Sequence, residues 1–314
     1  MYRIGIDLGG TNTVAGLVDA SLNIIDRASV KTNLPTNIDR ILGDMTALVG
    51  ELMARNGLSR GDIAGVGVGV PCTADEETGF MEDASHLGFE RASLAQPLAE
   101  RLNIPVFIGN DANAAAWGEY QKCAYDADSF LLVTLGTGIG GGIILNRKLW
   151  SGINYAAGEL GHMVIHTGGE PCTCGRMGCF EAYGSATALI RQARRHMETD
   201  RDTALWALCG HDPANLEAKT VFDAAASGDS AGIALLDAYT SYLAEGLANI
   251  INIFQPDVIS IGGGVSAAGD ALMIPLREKI RPLLYTRNAP KNTRIIAAQL
   301  GNDAGIIGAA MLGC

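Results

Sequence analysis

No stretch of this 314-residue chain strings together the ~18 apolar residues that a membrane helix needs. Its start, MYRIGIDLGG, has neither the basic opening nor the long apolar run of a secretory signal, and Asp7 interrupts it early. Basic residues are in deficit, 23 against 34 acids for a formal charge of −11, which repels phosphate backbones and argues against a nucleic-acid binder. The densest basic group, Arg191 to His196, reads as one solvated helix face. The seven cysteines are odd in number and clustered rather than spread, so they do not form a disulfide framework, and no redox C-x-x-C occurs. A low-complexity linker is missing too, although the length is at the upper limit for one hydrophobic core and favours two domains. A cytoplasmic protein, with no membrane or nucleic-acid partner, is the expectation.

What is abundant is glycine: 40 residues, concentrated in clusters that each follow an apolar run. At the start Ile4, Ile6 and Leu8 alternate with Gly5 and Asp7, then Gly9-Gly10-Thr11 turns the chain and Val14 to Val18 returns. That is a strand–turn–strand hairpin. Helices are expected over about 38–56, 93–102, 112–120, 231–254 and 305–312, and strands over 63–70, 106–108, 258–261 and 294–298. LGGTNTVAGLVD at Leu8–Asp19 and LGTGIGGGIILN at Leu135–Asn146 share one design: a strand, a Gly/Thr turn, an apolar return and an Asp/Asn end. The pattern points to two related α/β units facing each other across a cleft, where ligand sites in α/β folds favour sitting.

The segment GTGIGG at 136–141 matches the dinucleotide fingerprint G-x-G-x-x-G, but that fingerprint must open a helix and Ile143-Ile144-Leu145 reads as a strand. No G-x-x-x-x-G-K-[ST] is present, so the chain is not a P-loop protein. Glycine turns still suit phosphates, because backbone without a Cβ approaches closely and aims N–H groups at an anion. Thr11 and Thr137 add hydroxyls, and a carboxylate at Asp7 makes sense beside phosphates if Mg²⁺ lies between. Two matched turns plus Asp7 favour nucleotide phosphates over plain hairpin turns. A third turn, Gly262-Gly263-Gly264, could bring backbone against a nucleoside or be a generic strand–helix turn.

Asn110-Asp111-Ala112-Asn113 stands where a strand ends and a small-residue helix begins. Asp111 there could accept the proton of an attacking hydroxyl, although spacing alone favours the commoner use of Asp at such a spot, a helix N-cap. Cys172, Cys174 and Cys179, with His162 ten residues upstream, supply the four ligands of a closed, structural Zn²⁺ site. The glycines and proline between them suit a tight wrap around a metal, and His166 is the alternative fourth ligand.

DLGGT at Asp7–Thr11, GVGVGVP at Gly65–Pro71, NDAN at Asn110–Asn113, LGTGIGGG at Leu135–Gly142 and GELGH at Gly158–His162 together resemble the ROK-family sugar kinases. CTCGRMGCFE at Cys172–Glu181, GGGVS at Gly262–Ser266 and GNDAGIIGAA at Gly301–Ala310 extend the likeness across essentially the whole chain. Within the family it is most like the ATP-dependent glucokinases of bacteria.

The resemblance implies an α/β, two-domain actin-like ATPase (ribonuclease H-like) fold with sugar and ATP meeting in the interdomain cleft. The small domain would be residues 1–117 joined by the C-terminal helix at about 303–314, and the large domain, with the zinc loop, 118–302. Asp111 would be the catalytic base that takes the proton from the sugar 6-hydroxyl, and Asn110, Glu159, His162 and Glu181 would hold ring hydroxyls. ATP and Mg²⁺ would be met by Asp7, Gly9, Gly10, Thr11, Gly136, Thr137, Gly138, Gly262, Gly263 and Gly264. His162 would bridge sugar and zinc through its two ring nitrogens, with Cys172, Cys174 and Cys179 completing the metal site. A homodimer or homotetramer is the family-like assembly.

Glucose is the expected sugar, with an N-acylhexosamine (N-acetylglucosamine or N-acetylmannosamine) the alternative. Two positions bear on that choice: Cys72 stands where relatives carry Gly after the GVP segment, and His86-Leu87-Gly88-Phe89 replaces Asn-Leu-Gly-Trp. If position 72 needed a positive φ, a non-Gly residue would cost on the order of 1 kcal/mol. A sugar-responsive repressor of the same family would carry a helix-turn-helix of roughly 60–80 residues ahead of the first hairpin. That hairpin begins at Ile4, and a catalytically silent scaffold would be expected to lose Asp7 or Asp111, which are both present.

Overall fold

The computed structural model describes residues 1–82, 84 and 87–314. His86 of the sugar-edge segment therefore lies outside the described residues. The chain forms two compact units: Met1–Asp128, Gly142–Gly158 and Gln299–Cys314 in one, Ser129–Gly141 and Glu159–Ala298 in the other.

In the first unit the alternating start gives β1 (Tyr2–Leu8) and β2 (Asn12–Val18), paired antiparallel from Arg3↔Val18 to Leu8↔Thr13. The polar–apolar alternation of β3 (Ile24–Lys31) suits an edge with one wet face, and it pairs antiparallel with β2. Next comes α1 (Ile38–Arg55), capped by the Asn37 side chain, which accepts from Arg40 N–H; the helix buries Ile41, Leu42, Met45, Leu48, Val49 and Leu52 as one stripe. The strand β4 (Ile63–Val70) lies in the sheet interior, and all but one of its residues are buried, as its near-continuous apolar sequence requires. Three two-residue strands, β5 (Ala74–Asp75), β6 (Phe80–Met81) and β7 (Ala92–Ser93), make a small antiparallel sheet. They precede α2 (Ala95–Leu102), β8 (Val106–Asn110) and α3 (Asp111–Lys122). The main sheet runs β3-β2-β1-β4-β8, with β1, β4 and β8 parallel.

The second five-stranded sheet repeats this order. Its strands are β9 (Phe130–Leu135), β10 (Ile139–Leu145), β11 (Lys148–Leu149), β12 (Val258–Gly262) and β13 (Arg294–Ala297), arranged β11-β10-β9-β12-β13. Here β9, β12 and β13 are parallel, as β1, β4 and β8 are in the first sheet. The shared design of the two glycine hairpins thus extends to whole sheets. Because Gly136–Gly141 leads into a strand, the dinucleotide reading fails on geometry as the sequence indicated.

The helices of the second unit are α4 (Glu181–Gly184), α5 (Ala186–Thr199), α6 (Leu205–Leu208), α7 (Ala218–Ala226), α8 (Ser230–Phe254) and α9 (Asp270–Leu283). The last helix, α10 (Asp303–Ala310), returns to the first unit and packs on α3, β1 and β4. Its approach is close enough to demand glycine: a Cβ at Gly308 would lie 1.6 Å from the Ala114 carbonyl oxygen. Among the described residues no helix is long and apolar enough to cross a membrane.

Candidate active site

In the first unit, the C-terminal ends of β1, β4 and β8 lie side by side, with Asp7 opposite Gly69 and Val70 opposite Asn110. Ligands of open α/β sheets gather at such strand ends. Asp7 is largely desolvated there, and burial raises its carboxyl above the ordinary 3.8. In the turn after it, Gly9 N–H is spent on the Asn12 carbonyl at 3.0 Å, leaving Gly10 and Thr11 as the exposed members.

The strand-to-helix junction assigns its acid and its amides differently from the commoner pattern. Asn110, not Asp111, is the N-cap of α3: its Oδ1 accepts from Asn113 N–H at 3.1 Å, and its Nδ2 donates to the Cys72 carbonyl at 3.3 Å. Asp111 is the first helical residue, and its Oδ1 accepts from Ala112 N–H at 2.7 Å. Cys72 is buried and is not among the residues with positive φ, so no backbone strain attends the replacement of glycine there.

In the second unit the turn after β9 mirrors the first one. Gly136 N–H closes on the Gly138 carbonyl at 3.0 Å, and Thr137 is exposed at the tip. The Gly262–Gly264 turn adjoins it: Gly263, at φ +80°, sits so close that a Cβ would lie 2.4 Å from the Leu135 carbonyl. Gly264 opens onto free space. Glu181, the first residue of α4, reaches the Gly136–Ile139 turn, where its Oε2 accepts from Ile139 N–H at 2.9 Å. Sequence reasoning had no access to that link, because the partners are 42 residues apart and join a side chain to backbone.

The cysteine loop folds back on itself. Phe180 N–H bonds the Met163 carbonyl at 2.7 Å and Ile165 N–H the Gly178 carbonyl at 2.9 Å, which brings Cys179 under the short helical turn Leu160–His162. Gly168, Gly175 and Gly178 take the positive φ values that the wrap needs. As a result one ligand atom each from His162, Cys172, Cys174 and Cys179 lies within 4.8 Å of the others, and His166 is not in the group.

The spacing fits a metal and not a disulfide. Cys174 and Cys179 sulfurs are 3.7 Å apart, where tetrahedral Zn–S bonds require about 3.8 Å and an S–S bond about 2.05 Å. Cys172 Sγ and His162 Nδ1 are 3.5 Å apart, against about 3.6 Å expected across one edge of such a tetrahedron. Burial and the two thiols beside it push the Cys179 thiol upward. A divalent cation would favour the thiolate form of the sulfurs it binds.

With Nδ1 turned to the sulfurs, His162 Nε2 faces Glu159 Oε2 at 3.8 Å. Glu181 Oε1 faces Thr173 Oγ1 at 3.5 Å on the same loop. The second unit thus gathers Glu159, His162 and Glu181 around the cysteine loop, and the first gathers Asp7, Asn110 and Asp111 at its strand ends.

The chain matches the model of the ROK family over residues 3–313. It is 37% identical over 313 residues to a glucokinase of Halalkalibacterium halodurans, covering 99% of this chain and 94% of the relative. It is 30% identical over 320 residues to an N-acetylmannosamine kinase of Salmonella newport, covering 99% and 98%. Among solved structures, a ROK family glucokinase from Streptomyces griseus in complex with glucose and AMPPNP superposes with a TM-score of 0.85. The identity there is 33%, with 99% of each chain covered.

Proposed function

The chain belongs to the ROK family and has its actin-like ATPase fold, and on that premise we propose that it is an ATP-dependent hexose kinase that phosphorylates glucose at the 6-hydroxyl. The observation that carries the sugar reading is the orientation of His162. Its Nδ1 lies in the sulfur cluster, so a metal-bound ring carries its proton on Nε2 and presents it beside Glu159. A donor and a carboxylate acceptor side by side match a pair of vicinal hydroxyls. A wrong epimer leaves one of them unpaired against the sugar, a form of discrimination.

Phosphoryl transfer asks little covalent chemistry of a protein; it asks for positioning, charge neutralisation and a base. Asp111 accepts the proton of the 6-hydroxyl as that oxygen attacks the γ-phosphorus, and the bond to the ADP oxygen breaks. Asn110, held by its cap bond and by the Cys72 carbonyl, orients the sugar beside it. Glu159, His162 and Glu181 hold ring hydroxyls. Gly10, Thr11, Thr137 and Gly138 offer the phosphates backbone and hydroxyl donors, and Gly262–Gly264 offers the nucleoside a surface without side chains. Mg²⁺ held near Asp7 would neutralise phosphate charge. Zn²⁺ on His162, Cys172, Cys174 and Cys179 would fix the His162 ring, with no ligand position left for chemistry.

Glucose is supported by relatives named glucokinase at 35% and 37% identity, above the 30% of those named N-acetylmannosamine kinase. An ADP-release assay across hexoses and N-acylhexosamines tests the reading. The highest kcat/KM is expected with glucose; faster turnover of an N-acylhexosamine would move the assignment to that class.

A further inference from the structure

The phosphate turn Gly136–Ile139 is gripped at both ends by the segment that begins with Glu181. Ala186 N–H bonds the Gly136 carbonyl at 2.9 Å, and Glu181 Oε2 accepts from Ile139 N–H at 2.9 Å. The carboxylate lies directly over Gly138: a Cβ added there would stand 2.3 Å from Oε2 and 3.1 Å from the carboxyl carbon. The φ of Gly138 is outside the left-handed region, so the backbone itself would accept a methyl group. What a methyl there would meet is the Glu181 carboxylate, which would have to leave its place over the turn.

We propose that Glu181 is a positioning residue for the nucleotide's phosphate turn as well as a sugar ligand, and that it couples the two binding events. The inference rests on the kinase reading above. One oxygen of the carboxylate fixes Ile139 N–H and with it the plane of the turn. The other, Oε1, faces the metal loop, where it meets Thr173 Oγ1 at 3.5 Å. A hydroxyl engaged by Oε1 holds the carboxylate plane in which Oε2 meets Ile139. A phosphate that orders the turn holds the same plane from the other side. Linkage makes the effect reciprocal: each ligand tightens the other by the same factor.

The test uses the full zinc-loaded chain and titrates AMPPNP with Mg²⁺ by calorimetry in the absence of sugar. Glu181→Ala removes the acceptor and is expected to weaken AMPPNP about tenfold, the value of one charge-assisted hydrogen bond. Glu181→Gln keeps a carbonyl oxygen for Ile139 and is expected to stay within about threefold of wild type. A residue that only holds sugar would leave AMPPNP affinity unchanged in both variants, and that result overturns the proposal. Gly138→Ala gives an independent arm: glucose affinity measured without nucleotide is expected to fall about tenfold as the methyl displaces the carboxylate. Unchanged glucose affinity there would overturn the proposal as well. Wild-type chain that binds AMPPNP but no hexose overturns the sugar reading and the coupling with it, while the Glu181→Ala loss of AMPPNP affinity would still mark the positioning role. Wild-type chain that binds no AMPPNP overturns both.

Discussion

Gly305 brings its α-carbon against the carboxylate of Asp7: a Cβ added at Gly305 would lie 3.3 Å from Asp7 Oδ2. The first turn of α10 thereby helps to desolvate the acid proposed to lie nearest the phosphates. Burial raises the Asp7 carboxyl, so folding favours its protonated form.

The pH consequence has a definite sign. A carboxyl raised by folding contributes stability below its ordinary 3.8, and that contribution is lost as pH rises through the folded value. At neutral pH the ionised Asp7 is therefore a cost to the metal-free fold, which a cation would offset. Asp7→Asn should therefore raise the Tm of metal-free protein near neutral pH. The difference should shrink towards pH ~4, and Mg²⁺ with AMPPNP should stabilise wild type but not the variant. A variant less stable than wild type at neutral pH would contradict the account.

The proposed metal centre predicts a stoichiometry. Purified wild-type chain should carry one zinc per chain by elemental analysis, and Cys174→Ser should lose metal and activity together. Cys314→Ser, an exposed cysteine outside the group, should keep both. An active preparation without metal would refute the site.

A buried acid in α3 predicts a stability effect away from the reacting groups. Glu119 is fully buried, with Oε1 accepting from Tyr125 Oη at 2.9 Å and Gln299 N–H at 2.8 Å, and Oε2 from Leu300 N–H at 3.0 Å. It ties the end of α3 to the segment leading into α10. Glu119→Ala removes the carboxylate that these donors share and should cost about 2–4 kcal/mol in a denaturant titration. Tyr125→Phe should cost about 1 kcal/mol. A change under about 0.5 kcal/mol for Glu119→Ala, the size of an ordinary surface substitution, would contradict the role.

What the sequence made legible was local. The hairpin Ile4–Val18 shows its alternation, α1 and α8 their long apolar faces, and the metal loop its ligand spacing. The repeated Gly/Thr turn announced two sheets of one topology. The parts that were not legible depend on partners far along the chain. Glu119 sits in a small-residue helix like any solvated acid, and its acceptor role comes from residues 180 and 181 positions away. Asn110 and Asp111 are both good N-caps, and only the extended backbone at Asn110 decides between them, at φ −62° and ψ 143°. The strands β5–β7 are two residues each, too short to carry a period.

The base assignment is tested most directly by Asp111→Asn, measured twice: glucose affinity by calorimetry, and glucose 6-phosphate formation from ATP by a coupled dehydrogenase. Glucose Kd is expected within about threefold of wild type and kcat lower by about 10³-fold, within the range that removing a general base produces. Turnover within about tenfold of wild type would contradict the assignment, because the proton of the 6-hydroxyl would then have another acceptor.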